Sequence, residues 1–160
     1  MQLEQREKEL AAIGASIGAN CRPCIEHHVP AGRKAGLSEA EVGEAVAVAE
    51  AVRDQAGKLL SARAQKLLGR RGAPPEPAGL TETSKARELV ALGASVGANS
   101  HPLLQLHTAA ALEVGLAAAR VEAALKMAEH VQQRAGEMTA EKAAHAIEEL
   151  GGSAGAAAKN

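Results

Sequence analysis

Apolar side chains recur along most of this chain at spacings of three and four. Leu10, Ile13 and Ile17 form one such stripe, and Leu89, Leu92 and Val96 form another. This is the pattern of a helix with one face turned to a core. Val42, Ala45, Ala49, Val52 and Ala56 extend the same periodicity, and Val121, Ala124, Ala128, Val131 and Ala135 reproduce it position for position. No period-two alternation of useful length interrupts these stripes, so the expected fold class is all-α. Gly36 and Gly115 suit helix C-terminal caps, and Ser38 with Glu41 makes a capping box that starts the helix after the first of them. Helices are therefore predicted over residues 2–18 and 22–35, with a third starting at residue 39 for which Gly57 is a potential break.

The stripes repeat because the sequence does. Sliding the chain by 79 positions lays ELAAIGASIGANCRPCIEHH, residues 9–28, over ELVALGASVGANSHPLLQLH, residues 88–107, without a gap. A tandem duplication of one helical unit follows, with repeats at 1–72 and 80–151 joined into a single domain spanning 1–151. Residues 69–80, GRRGAPPEPAGL, contain three prolines and read as the linker between the repeats. Residues 152–160 carry no apolar periodicity and read as a flexible tail.

Composition narrows the function classes. A formal net charge of −1 gives no overall field to draw the chain to nucleic acid or an acidic membrane. Phe, Tyr and Trp are all absent, which removes base-stacking platforms and leaves a core of Ala, Leu, Val and Ile. No apolar run approaches the roughly 20 residues of a membrane span. A soluble, cytoplasmic protein is expected, without nucleic-acid or membrane partners. In a reducing compartment the only two cysteines, Cys21 and Cys24, are too few for a disulfide scaffold and point to redox or metal chemistry.

With a helix starting near Arg22 and Pro23 in its opening turn, Cys21, Cys24 and His28 fall at i, i+3 and i+7 on one face. The sulfurs then lie at the end of the helix where unpaired N–H groups and the dipole favour a thiolate. Glu9 precedes Ile13 and Ile17 by four and eight residues, so it shares their inward stripe. Across an antiparallel hairpin at Gly-Ala-Asn, Glu9 sits roughly 14 Å below the turn and His28 roughly 9 Å, an offset that a long carboxylate bridges directly or through water. The expected catalytic set is Cys21, Cys24, His28 and Glu9, arranged for thiol deprotonation and disulfide exchange. Helix position argues for Cys21 as the more exposed thiol, whereas closeness to Glu9 and His28 argues for Cys24 as the more activated. The order of attack stays open. In the second repeat Glu88 and His107 survive while Ser100 and Leu103 stand where the sulfurs would be, a degenerate second site unable to do thiol chemistry.

The pattern Glu-x11-Cys-x2-Cys-x3-His, here Glu9, Cys21, Cys24 and His28, resembles the signature of AhpD-like proteins in the carboxymuconolactone decarboxylase superfamily. The similarity runs through the Gly-Leu-Ser-x-x-Glu turn and covers about residues 7–68. It implies an all-helical fold, symmetric homo-oligomers of six such units (hence a trimer of this duplicated chain), and thiol-dependent peroxidase or disulfide-reductase activity. In that activity the CxxC cycles between dithiol and disulfide. It further implies a peroxide or protein-disulfide substrate and a dihydrolipoyl or thioredoxin-like electron donor, and no bound cofactor is needed. In AhpD proteins with a duplicated unit the active motif lies in the second copy, whereas here it lies in the first.

Two other classes stand beside this reading. One is a non-catalytic redox-sensing or metal-binding assembly protein, with Cys21, Cys24, His27 or His28, and Glu9 as possible zinc ligands. The other is a decarboxylase-branch enzyme using His28 or His107 as base, whose activity would survive loss of the thiols.

Overall fold

Asparagine, not glycine, makes the turns that organise this molecule. In the computed structural model, which describes the backbone of residues 3–70, 72–73 and 75–157 and side chains up to residue 149, Asn20 has φ of 53° and Asn99 has φ of 52°. Asn tolerates this left-handed conformation better than most residues with a side chain. It ends the preceding helix so that the N–H of Cys21 reaches back to the Ser16 carbonyl at 2.9 Å, and that of Ser100 to the Ser95 carbonyl at 2.9 Å. Each Gly-Ala-Asn segment thus closes one helix and aims the next back along it.

The helices are α1 (Gln5–Gly18), α2 (Arg22–Lys34), α3 (Glu39–Leu67), α4 (Lys85–Gly97), α5 (His101–Glu113) and α6 (Ala118–Ala157), and no strand occurs among the described residues. The all-α class is therefore observed. Gly36 and Gly115 adopt φ of 91° and 83° after α2 and α5. Ser38 and Glu41 form the reciprocal capping box at the start of α3. The first helix begins later than expected, at Gln5, because Glu4 and Glu7 make a capping box there. The potential break at Gly57 does not occur. Gly57 has open space around it, and a single glycine costs a long helix only about 1 kcal/mol, so α3 runs on to Leu67.

Residues 69–80 lie between α3 and α4; their described residues, like those up to Ser84, are non-helical, and Arg71 and Pro74 lie outside the described residues. Part of it is tied down. The Gln55 amide, oriented to satisfy both its ends, accepts from the Ala78 N–H at 2.8 Å and donates to the Ala78 carbonyl at 3.0 Å. Backbone helix in α6 continues to Ala157, into the segment 152–160 expected as a tail. Residues 158–160 lie outside the described residues.

At the centre α1 crosses α4, each also packed against α3 and α6, while α2 and α5 hang chiefly on α1 and α4 respectively. With no aromatic ring to fill space, the core is closed by bringing backbones together. A Cβ on Gly14 would fall onto the Val90 carbonyl oxygen, and one on Gly93 onto that of Ala11. Positions 14 and 93, like 11 and 90, are 79 apart, so the two helices present the same face to each other. Ile13, Leu89, Leu92 and Leu103 are fully buried around the crossing. None of the helices among the described residues is long and apolar enough to cross a membrane.

This packing makes two glycines respond in opposite directions. Gly93→Ala is expected to lower unfolding stability by about 2 kcal/mol, since backbone atoms must move apart. Gly57→Ala, in open helix, is expected to raise it by about 0.5–1 kcal/mol. Urea midpoints of the two variants read both signs.

Candidate active site

The α1–α2 turn delivers Cys21 to the N-cap of α2, with φ of −96° and ψ of 98°, and Pro23 occupies the first turn, where a missing N–H leaves no helix bond unmade. The Cys21 sulfur accepts from the Cys24 N–H at 3.3 Å. A disulfide joins Cys21 to Cys24, with their Cα atoms 5.3 Å apart. Both residues are buried, 8% and 7% exposed. Exposure therefore does not single out Cys21, contrary to the expectation from its helix position, because a second wall covers the pair. The cysteines belong to an apolar cluster with Ala128, Val131 and Ala135 of α6. Ala12 and Ala15 of α1 and Val96 of α4 complete that cluster, so the apolar surroundings of the sulfurs draw on both halves of the chain.

One turn after Cys24, the His28 ring meets the carboxylate expected from α1. Glu9 is 4% exposed, and its Oε2 lies 2.9 Å from His28 Nδ1. The contact is direct and needs no bridging water. The other oxygen is held too, since Gln5 Nε2 donates to Glu9 Oε1 at 2.7 Å. With both carboxylate oxygens engaged, Glu9 fixes the orientation of the imidazole and turns its Nε2 edge away from α1. His28 keeps 12% of its side chain exposed, and exposed His27 packs edge-on against it with ring centroids 4.9 Å apart. All four expected residues, Glu9, Cys21, Cys24 and His28, thus come from one helical hairpin.

Seventy-nine positions on, the chain places a matching acid and imidazole in a buried setting. Glu88 Oε2 lies 2.9 Å from His107 Nδ1, and both side chains are essentially fully buried. Ser100 occupies the N-cap of α5 and Leu103 is buried one turn on. Position 84, the counterpart of Gln5, is Ser84, whose side chain caps α4 instead. Among the described residues, neither Glu88 Oε1 nor His107 Nε2 has a partner.

Gln5 was missed by the sequence reading, although its position four residues before Glu9 on the same helix was a usable signal. Arg53 of α3 was also missed. It lines a cleft against Cys21, and nothing in its local sequence marks that long-range meeting. Among the described residues no three His, Cys, Asp or Glu side chains gather in a metal-ligating arrangement.

Comparison with known proteins agrees with this geometry at the level of the family. Residues 2–66, which include the disulfide, Glu9, His28 and Arg53, match the model of the carboxymuconolactone decarboxylase family. No curated protein and no solved structure matches the chain. Over residues 2–66, then, the chain is similar to the carboxymuconolactone decarboxylase family.

Proposed function

We propose that this protein is a thiol–disulfide oxidoreductase of AhpD-like type that reduces peroxides or a partner's disulfide. The observation that carries the reading is the Cys21–Cys24 disulfide one helical turn from an imidazole whose Nδ1 is held by a buried carboxylate. Two sulfurs that bond within one helical turn can store and release an electron pair without moving the backbone far.

The chemistry starts from the dithiol. His28, oriented by Glu9, takes the proton of a thiol, and the helix N-terminus stabilises the resulting thiolate. That thiolate attacks the terminal oxygen of a hydroperoxide. The O–O bond breaks, the alcohol leaves with a proton, and the cysteine becomes a sulfenic acid. The second cysteine attacks the sulfenic sulfur, water departs, and the disulfide forms. A donor dithiol then returns two electrons by exchange through a mixed disulfide, so no bound cofactor takes part. A dihydrolipoyl or thioredoxin-like protein suits that role, and a reducing cytoplasm suits the cycle.

The two repeats act as one domain in this reading, because α6 of residues 80–151 covers sulfurs held by residues 1–72. The Glu88–His107 pair is a retired copy of the relay. Leu60, Leu67 and Leu68 on and just after α3 and Ile147 on α6 are exposed, apolar surface that supports assembly into a homo-oligomer, with a trimer favoured.

Peroxide consumption at saturating dithiothreitol tests the proposal. Cys21→Ser and Cys24→Ser are each expected to abolish turnover, and Glu9→Gln and His28→Gln to slow it about 100-fold or more. Turnover that survives Cys24→Ser would instead point to chemistry using an imidazole base alone. Gln5→Leu, which frees Glu9 Oε1 while leaving the Glu9–His28 contact, is expected to slow turnover about five- to tenfold. A rate equal to that of the unaltered protein would show that Gln5 does not help to hold the carboxylate.

A further inference from the structure

The relay explains how a sulfur is activated but not what meets it. One side of the disulfide faces a cleft of about 240 Å³ to which Cys21, but not Cys24, contributes. Ile17 and Ile25 give it apolar walls, and Arg22 and Arg53 contribute guanidinium groups. The two arginines differ in what already holds them. Arg22 is exposed and donates to Glu26 at 2.8 Å, one helical turn on. Arg53 is only partly exposed, and its one side-chain hydrogen bond among the described residues is to Asp54 at 3.4 Å, beyond the usual range of such bonds. Its fork of donors is therefore largely unspent beside the sulfur, and that fork matches a carboxylate.

The second repeat supplies an internal comparison. The counterpart of Arg53, 79 positions on, is Gln132. Gln132 is neutral and reaches the α4–α5 turn, with its Nε2 donating to the Val96 carbonyl and to Asn99 Oδ1, each at 2.8 Å. His101 stands in for Arg22 and Ser100 for Cys21. Where the sulfur is missing, the guanidinium is missing too, and its replacement is occupied with structural bonds. With a formal net charge of −1 for the whole chain, the positive charge at Cys21 is local and not a sample of a basic surface.

We propose that the sulfur compound exchanging with this protein docks in the cleft at Cys21 and carries a carboxylate, which Arg53 binds. The assignment rests on the thiol–disulfide reading above. In the reductive direction a substrate thiolate attacks the Cys21 sulfur, the Cys21–Cys24 bond breaks, and Cys24 leaves as a thiolate. A second substrate thiolate then attacks the substrate sulfur of the mixed disulfide and releases Cys21. The protein gains two electrons and the substrate becomes a disulfide. The reverse direction, oxidation of the reduced protein by a small disulfide, is the same reaction run backwards and is easier to time.

The test compares three aliphatic disulfides as oxidants of the fully reduced chain, with loss of free thiol as the readout. They are 3,3′-dithiodipropionate, cystamine and neutral bis(2-hydroxyethyl) disulfide. The unaltered protein is expected to react about tenfold faster with the dicarboxylate than with cystamine. Arg53→Gln is expected to bring that ratio near one, and Arg53→Glu to invert it. Arg63→Gln removes the same charge from the exposed part of α3 outside the cleft and is expected to leave the ratio as it is. Equal rates for the two charged disulfides, or a preference unmoved by both Arg53 variants, would overturn the assignment alone. Failure of the reduced protein to be oxidised by the neutral disulfide would bring down the thiol–disulfide reading and this assignment with it.

Discussion

The close crossing of α1 and α4 is the constraint on which the rest of the molecule depends. A chain without aromatic residues has few ways to fill a core between six helices, and here the gap is removed by contact between backbones at Gly14 and Gly93. That contact fixes how α1 and α4 lie against each other, and the turns at Asn20 and Asn99 end them. The turns in turn set the N-termini of α2 and α5, the places where a sulfur or its replacement sits. A small shift at the crossing would move the α1–α2 hairpin, and Cys21 with it, relative to α6.

The two hairpins share a scaffold and differ in what each asks of it. In the first, every polar atom of Glu9 has a partner, and the imidazole it holds keeps a path to solvent. In the second, the matching pair is buried and two of its polar atoms have no partner among the described residues. Leaving a buried donor or acceptor unpaired costs roughly 1–3 kcal/mol each. The two halves of the chain also meet at the disulfide, because Ala128, Val131 and Ala135 of α6 share its apolar cluster. A half-chain would leave that wall missing.

Much of this was legible in the sequence, wherever the cause is local. The stripes at spacings of three and four, the glycine caps at Gly36 and Gly115 and the Ser38–Glu41 box depend on near neighbours along the chain. The inward placement of Glu9 followed from its register with Ile13 and Ile17, and its meeting with His28 from the hairpin. The failures involve forces that only the folded chain supplies. Gly57 weakens a helix locally, but packing of Val52 and Ala56 carries α3 past it. Burial of Cys21 by α6, and the placing of Arg53 beside it, join residues far apart in sequence, and no periodicity in one segment encodes them. Gln5 is the exception, since its spacing from Glu9 was in plain view and was overlooked for lack of an apolar pattern.

A reversible electron pair stored between two sulfurs is the central claim, and equilibration of the purified protein in a graded series of dithiothreitol redox buffers tests it most directly. Mass spectrometry after quenching with an alkylating agent reports Cys21 and Cys24 together. The account predicts one two-electron transition, identical whether approached from the reduced or the oxidised side, in which the two cysteines are either both alkylated or both protected. Cysteines that alkylate independently of each other across the series, or that stay protected by a bound metal ion under fully reducing conditions, would contradict it.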